Sequence, residues 1–245
     1  MSPMKSSNPA FSQRVIGDLN RAYSSDRVMS IEGTINKTSL LFFILLVGAS
    51  ISWNFTASQT TFMVVGFIGS LALAFATIFK PTIAPYTAPG YAFFEGLLLG
   101  ALSMQFNMLY DGIVMNAVLL TISVFAGMLF LYRTRIIKVT EKFRSIMMSM
   151  LMGVVIVYGL TFVLGMFGIN VGLVTGNSLM AIGLNIVIAG IAAFSLLLDF
   201  DMIERGSSEQ WPGYMEWYSA FGLMVTLVWL YLELLKLLSR FSSRD

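Results

Sequence analysis

Long apolar runs, separated by short polar or charged segments, dominate the chain between residues 38 and 238. A helix needs about 20 mostly apolar residues to cross the hydrocarbon core of a bilayer. Two charge-free runs, residues 38–79 and 145–198, are at least twice that length, and polar residues or glycines divide them near residues 54–61 and 165–177. The pattern predicts an all-α membrane protein with seven spans, over residues 38–55, 60–79, 90–110, 112–132, 146–167, 178–200 and 214–238.

Polar segments bound these spans. Residues 1–37 form a predicted cytoplasmic tail, and residues 239–245 form a short basic C-terminal tail. Apolar residues recur at helical spacing between Phe11 and Tyr23. This spacing is typical of a helix lying on a membrane surface, and a partly ordered tail that only sets topology is the alternative. The tail lacks the central apolar region of a cleavable signal peptide.

Prolines predict the connection between the second and third spans. Lys80 is followed by Pro81, Pro85 and Pro89. Proline has no N–H and restricts the residue before it, so this segment is predicted to be a loop.

Composition supports a membrane protein, because 57% of the residues are hydrophobic and 11% are charged, against about 25% charged in a typical soluble domain. The chain has no Cys and no His, which excludes disulfides, the usual zinc sites and Ser-His or Cys-His catalytic pairs. We therefore expect no enzymatic activity. A net charge of +2 is too small for a nucleic-acid surface. The expected partner is the lipid bilayer, and no protein partner is identified.

The distribution of Lys and Arg predicts the orientation. Twelve of the 15 lie on the same side of the membrane as the N-terminus, five of them between Arg133 and Arg144. Cytoplasmic loops are enriched in these residues, which predicts a cytoplasmic N-terminus. Lys236, Arg240 and Arg244 would then lie outside, unless the last segment is re-entrant and both ends are inside.

Carboxylates at membrane depth cost about 2.5–3.5 kcal/mol each on insertion scales, so each one needs a reason. Glu95 lies in the third span beside Gly96 and Gly100, a spacing that allows close approach of another helix. This indicates a packing or pore-lining role. The alternative is an acid near the interface that water reaches.

Two further acids stand out in the last two spans. Asp199 ends the predicted sixth span, where a simple helix-end acid is the alternative interpretation. Glu233 lies in the seventh span on one face with Glu216 and Thr226. The competing explanation for Glu233 is an intrahelical pair with Lys236, three residues later.

Three sequence elements carry a resemblance to the Bax inhibitor-1 family, also called the transmembrane BAX inhibitor motif family, in its bacterial-type branch. Phe-Phe-Glu95-Gly-Leu resembles the acid-Gly-Leu element of many members. Residues 198–203 resemble the aromatic-Asp-Thr-Gln-Leu-Ile motif, with Leu198 in place of the aromatic and Asp201 in place of Gln. Residues 229–238 resemble the closing helix of the family.

The resemblance implies a bundle whose last helix is central, and a proton-sensitive calcium leak channel in the bacterial inner membrane. An acid of span six and an acid of span seven would share a proton and close the pore. Asp199 matches the first acid. Matching Leu-Tyr-Leu places the second at Glu233, whereas matching Leu-Leu-Lys-Leu-Leu places it at Thr226. Asp201, Glu216 or a backbone group near Thr226 are the alternative partners of Asp199.

Calcium is the expected permeant ion, and no other cofactor is expected. Ca²⁺ prefers hard oxygen ligands, which Asp199 and Glu233 would supply.

Two other functions stay open, namely a secondary transporter and a non-transporting scaffold that binds partners through residues 133–144. A transporter is expected to show inverted repeats or broken helices at the midplane.

Overall fold

A computed structural model describes residues 28–55, 58–176 and 178–243. The regular secondary structure within these ranges is helical, apart from an isolated bridge between Val28 and Pro212. Seven helices are long and apolar enough to cross a membrane, as predicted. They are α1 (Ile31–Asn54), α2 (Gln59–Phe79), α3 (Ala84–Leu109), α4 (Ile113–Arg133), α5 (Glu141–Met166), α6 (Leu179–Ser208) and α7 (Met215–Ser242).

Several helices extend beyond the charge-free runs. Helix α1 begins at Ile31, seven residues before the predicted span, because Ser30 caps it by accepting a hydrogen bond from the N–H of Gly33. Thr140 and Ser178 cap α5 and α6 in the same way. Charged residues can occupy these outer turns, since they project beyond the apolar layer. The possible surface helix between Phe11 and Tyr23 lies outside the described residues.

The segment after Lys80 is helical despite its three prolines. Pro81 begins a 3-10 turn over Pro81–Ile83, and α3 begins immediately after it. Pro85 lies in the first turn of α3, where backbone N–H groups have no intrahelical partner anyway. Pro89 lies inside α3, so the loop prediction was wrong at these two positions.

The bundle is built around α7. This helix packs against α1, α3, α4 and α6, which fits the expectation that the last helix is central. Helices α1, α2 and α3 form one group, in which Gly96 and Gly100 of α3 allow close contact with α1. A Cβ at Gly96 would collide with the carbonyl oxygen of Leu45, and one at Gly100 with Ala49 and Ser52. The predicted small-residue contact is therefore present.

The two ends of the bundle can be distinguished by their connections. We call the end with the α4–α5 connection (residues 134–140) the basic end, and the end where α7 finishes and α6 begins the far end. Helix α7 is continuous from the basic end to the far end, so the re-entrant alternative for the last segment is not observed.

Candidate functional site

Asp199 lies inside α6, nine residues before the end of the helix, and not at a helix end as predicted. Its carboxylate faces α7 at Gly222 and Thr226. A Cβ at Gly222 would lie 3.9 Å from Oδ1, and the Thr226 hydroxyl faces the same carboxylate. The other oxygen, Oδ2, is screened from solvent and has no hydrogen-bond partner among the described residues. This carboxylate is therefore held in the helix interface with little polar compensation.

Glu233 is 1% exposed and has a complete set of polar partners. It accepts hydrogen bonds from the Tyr158 hydroxyl (2.7 Å) and from Nδ2 of Asn185 (2.7 Å). The Lys236 ammonium lies 3.1 Å from Oε1, so the intrahelical pair considered for Glu233 is present. Helices α5, α6 and α7 all contribute to this cluster.

Asp199 and Glu233 do not meet. Asn185, which contacts Glu233, lies fourteen residues before Asp199 on the continuous helix α6. At 1.5 Å per residue, this separates the two levels by about 21 Å along the helix. The Asp199–Glu233 pair and the shared calcium site expected from the resemblance are therefore wrong. The described residues also contain no cluster of three or more His, Cys, Asp or Glu side chains that could hold a metal ion.

The structure instead places Thr226 opposite Asp199, which agrees with the alternative alignment of span seven. Thr226 also donates a hydrogen bond to the carbonyl oxygen of Gly222 (3.2 Å). Because threonine is not ionisable, this site contains one acid where the family resemblance implies two. A carboxylate with a hydroxyl partner cannot share a proton as two carboxylates do.

Glu95 is buried between α2 and α3. The hydroxyls of Ser70 and Tyr91 face its carboxylate, and Ser70 itself is buried. The polar surroundings of Glu95 thus come from α2 and from its own helix. This placement supports a role in helix packing, and it excludes the alternative of an acid reached freely by water at an interface.

Asp201 and Glu216 form ion pairs at the basic end. Asp201 contacts Arg144 at 2.7 Å. Glu216 accepts hydrogen bonds from the backbone N–H and the hydroxyl of Ser30, both at 2.8 Å, and pairs with Lys37. Neither acid is therefore the partner of Asp199. Glu216 joins the start of α7 to the start of α1.

Three polar residues form contacts in the fold that were not predicted from the sequence. Glu204 binds Tyr132 and Arg135 at the basic end. Tyr158 reaches Glu233 from α5. Arg240, which is 9% exposed, donates to the carbonyl oxygens of Ala181 (2.7 Å) and Val174. The spacing of Glu233, Lys236 and Arg240 along α7 was a usable signal, because residues three or four apart share a helix face.

Comparison with protein families gives a match to the family described as Bax inhibitor 1 like, over residues 8–243. The comparisons with curated proteins and with solved structures give no match. The matched region includes all seven helices and every acid discussed above. The seven-helix fold and this match together show that the chain is a membrane protein that belongs to the Bax inhibitor 1 like family.

Proposed function

We propose that this protein is a pH-sensitive calcium or cation leak channel in which Asp199 alone supplies the titrating carboxylate. The observation that carries the proposal is the Asp199 carboxylate in the α6–α7 interface, with Oδ2 unpartnered among the described residues. An ionised carboxylate at membrane depth is costly unless it is paired. Its protonation is therefore coupled to the packing of α6 against α7.

The surroundings of Asp199 support a single titrating group. From α7 it meets the Thr226 hydroxyl, and no lysine or arginine among the described residues forms an ion pair with it. Asp201, two residues further along α6, is paired with Arg144. A change in the charge of Asp199 is thus compensated by water or a cation entering the interface, or by movement of α7.

The continuity of the two helices favours a channel over a secondary transporter. Transporters bind substrate at broken helices near the midplane. Helices α6 and α7 are each unbroken where they meet at Asp199. A carboxylate oxygen in such an interface is a hard ligand, which Ca²⁺ prefers. A permeating Ca²⁺ ion would contact it transiently and would not need a permanent binding site.

The test is reconstitution of the full chain in liposomes that contain a calcium dye, with flux followed between about pH 6 and 8, where a carboxyl buried away from water can titrate. We expect flux that changes with pH in the wild type and flux without pH dependence in Asp199→Asn. Glu233→Gln is the matched control, because it removes a buried charge about 21 Å away along the bundle. It should keep the pH dependence. Absence of flux in the wild type, or an unchanged profile in Asp199→Asn, would overturn the proposal.

A further inference from the structure

A half-open cavity of about 360 Å³ lies at the far end and is lined by residues of α3, α5, α6 and α7. Its volume is at the lower end of the range for small-molecule pockets, roughly 300–1,000 Å³. Its lining includes apolar residues such as Phe106, Leu184 and Ile188. The polar lining residues are Tyr158, Asn185, Glu233, Lys236, Ser239 and Arg240.

The cavity already holds an ammonium group, which belongs to the protein's own Lys236 side chain. The Lys236 ammonium lies 3.1 Å from the Glu233 carboxylate and 5.1 Å from the centroid of the Tyr158 ring. A buried carboxylate and the face of an aromatic ring are two groups that attract an alkylammonium ion. Lys236 therefore occupies an ammonium site that is formed by residues of α5 and α7.

One lining residue of this cavity, Asn185, carries an acceptor that is unused among the described residues. Asn185 is 4% exposed and donates through Nδ2 to Glu233, whereas its Oδ1 has no hydrogen-bond partner among the described residues. A buried carbonyl oxygen without a donor costs free energy, so the site gains from a ligand that brings N–H groups. Arg240 does not fill this role, because its guanidinium is bound to the carbonyl oxygens of Ala181 and Val174.

We infer that this cavity binds a small primary alkylammonium ion, and that Lys236 is an internal competitor for the site. The Lys236 side chain is 40% exposed, so its flexible stem can carry the ammonium out to water when a ligand enters. The ligand ammonium then lies at Glu233, with N–H groups available for Oδ1 of Asn185, and its alkyl chain contacts the apolar lining residues. This inference concerns a site separate from Asp199 and does not depend on ion flux.

The test uses the full chain in detergent, with n-butylammonium chloride as the probe and the thermal unfolding midpoint as the readout. NaCl and 1-butanol at the same concentrations control for ionic strength and for apolar binding. We expect a saturable rise of the midpoint in the wild type with the ammonium salt alone. In Lys236→Gln the half-saturating concentration should fall about tenfold, if Lys236 fills the site about nine-tenths of the time.

Three variants separate the inference from simpler explanations. Lys142→Gln removes an exposed lysine at the basic end and should leave the half-saturating concentration unchanged. Glu233→Gln combined with Lys236→Gln should abolish the specific rise. If that double variant does not fold, Tyr158→Leu in the Lys236→Gln background should raise the half-saturating concentration, because the ring is lost.

The inference is overturned if the wild type shows no saturable rise while Lys236→Gln does, since butylammonium would then only fill the space left by the lysine. It is also overturned if NaCl or 1-butanol produces the same rise. Retention of the rise after loss of the Glu233 carboxylate would exclude this carboxylate as the binding group.

Discussion

At the level of single residues, the buried acids differ in how their charge is compensated. Glu216 has a lysine and two donors from Ser30. Glu233 has a lysine, a tyrosine and an asparagine. Asp199 has the Thr226 hydroxyl. Since removal of one partner of a buried pair leaves the other uncompensated, the first two acids are structural by this criterion. Asp199 and Glu95 have hydroxyl partners and no cation among the described residues, and of the two Asp199 has a carboxylate oxygen without a hydrogen-bond partner there.

The Glu216 contact allows a stability prediction. Glu216→Gln should reduce the free energy of unfolding by about 1–3 kcal/mol, because Lys37 is left largely buried without an opposite charge. The measurement is chemical or thermal unfolding in detergent. Glu141→Gln is the control, since Glu141 is 87% exposed and its pair with Arg144 should contribute less than about 1 kcal/mol. Equal losses in the two variants would contradict a structural role for the Glu216 contact.

At the level of helices, the sequence predicted the number of spans but not their ends or their mutual register. The apolar runs identify each span because the bilayer requires them. The runs stop at the first charge, whereas α6 continues past Asp201 to Ser208 because Arg144 neutralises that acid from another helix. The partner of Asp199 likewise could not be predicted from the sequence, because it depends on how α6 and α7 are aligned and not on the pattern within either helix.

The close contact between α1 and α3 leads to a prediction at this scale. Gly100→Leu should destabilise the protein by about 1–3 kcal/mol or more, because the added side chain would overlap Ala49 and Ser52. Gly153→Leu makes the same chemical change in α5, where a Cβ meets no atom within 4 Å. Thermal unfolding of the two variants in detergent should show a lower midpoint for Gly100→Leu alone. Similar midpoints would argue against the observed packing.

Helix α5 makes polar contacts with both α6 and α7. Two of its residues, Met147 and Val154, are buried, while Arg144 pairs with Asp201 and Tyr158 donates to Glu233. Its remaining apolar surface faces outward, as expected for a lipid-exposed helix. Its attachment to α6 and α7 therefore depends on a small number of side chains.

This arrangement predicts a measurable loosening of α5. Since the chain has no cysteine, Met147→Cys gives a single thiol, at a position that is 3% exposed. Adding Asp201→Asn should increase the rate of maleimide labelling at this thiol several-fold, because the charge partner of Arg144 is lost. Ile146→Cys, at an exposed position, should react equally with and without Asp201→Asn. An unchanged rate at residue 147 would show that the Arg144–Asp201 pair does not hold α5 in place.

Across the whole molecule, the cations at the two ends have different environments. The basic end carries Lys37, Lys80 and the α4–α5 connection, and several of its cations face water. At the far end, Lys236 is held by Glu233, and Arg240 is bound to backbone carbonyls. These two far-end cations are therefore bound by other groups of the protein. For that reason they are weaker evidence against a cytoplasmic basic end than a simple count of charges suggests.

The orientation itself can be tested on the intact chain. We expect the basic end to be cytoplasmic, because Lys and Arg are concentrated in cytoplasmic loops. Lys138→Cys and Ile169→Cys place single thiols at exposed positions on opposite ends of the bundle. A membrane-impermeant maleimide added to intact cells should label residue 169 and leave residue 138 unlabelled until the membrane is permeabilised. The reverse result would invert the orientation, and equal labelling of both thiols in intact cells would contradict the arrangement of α4, α5 and α6 as successive spans.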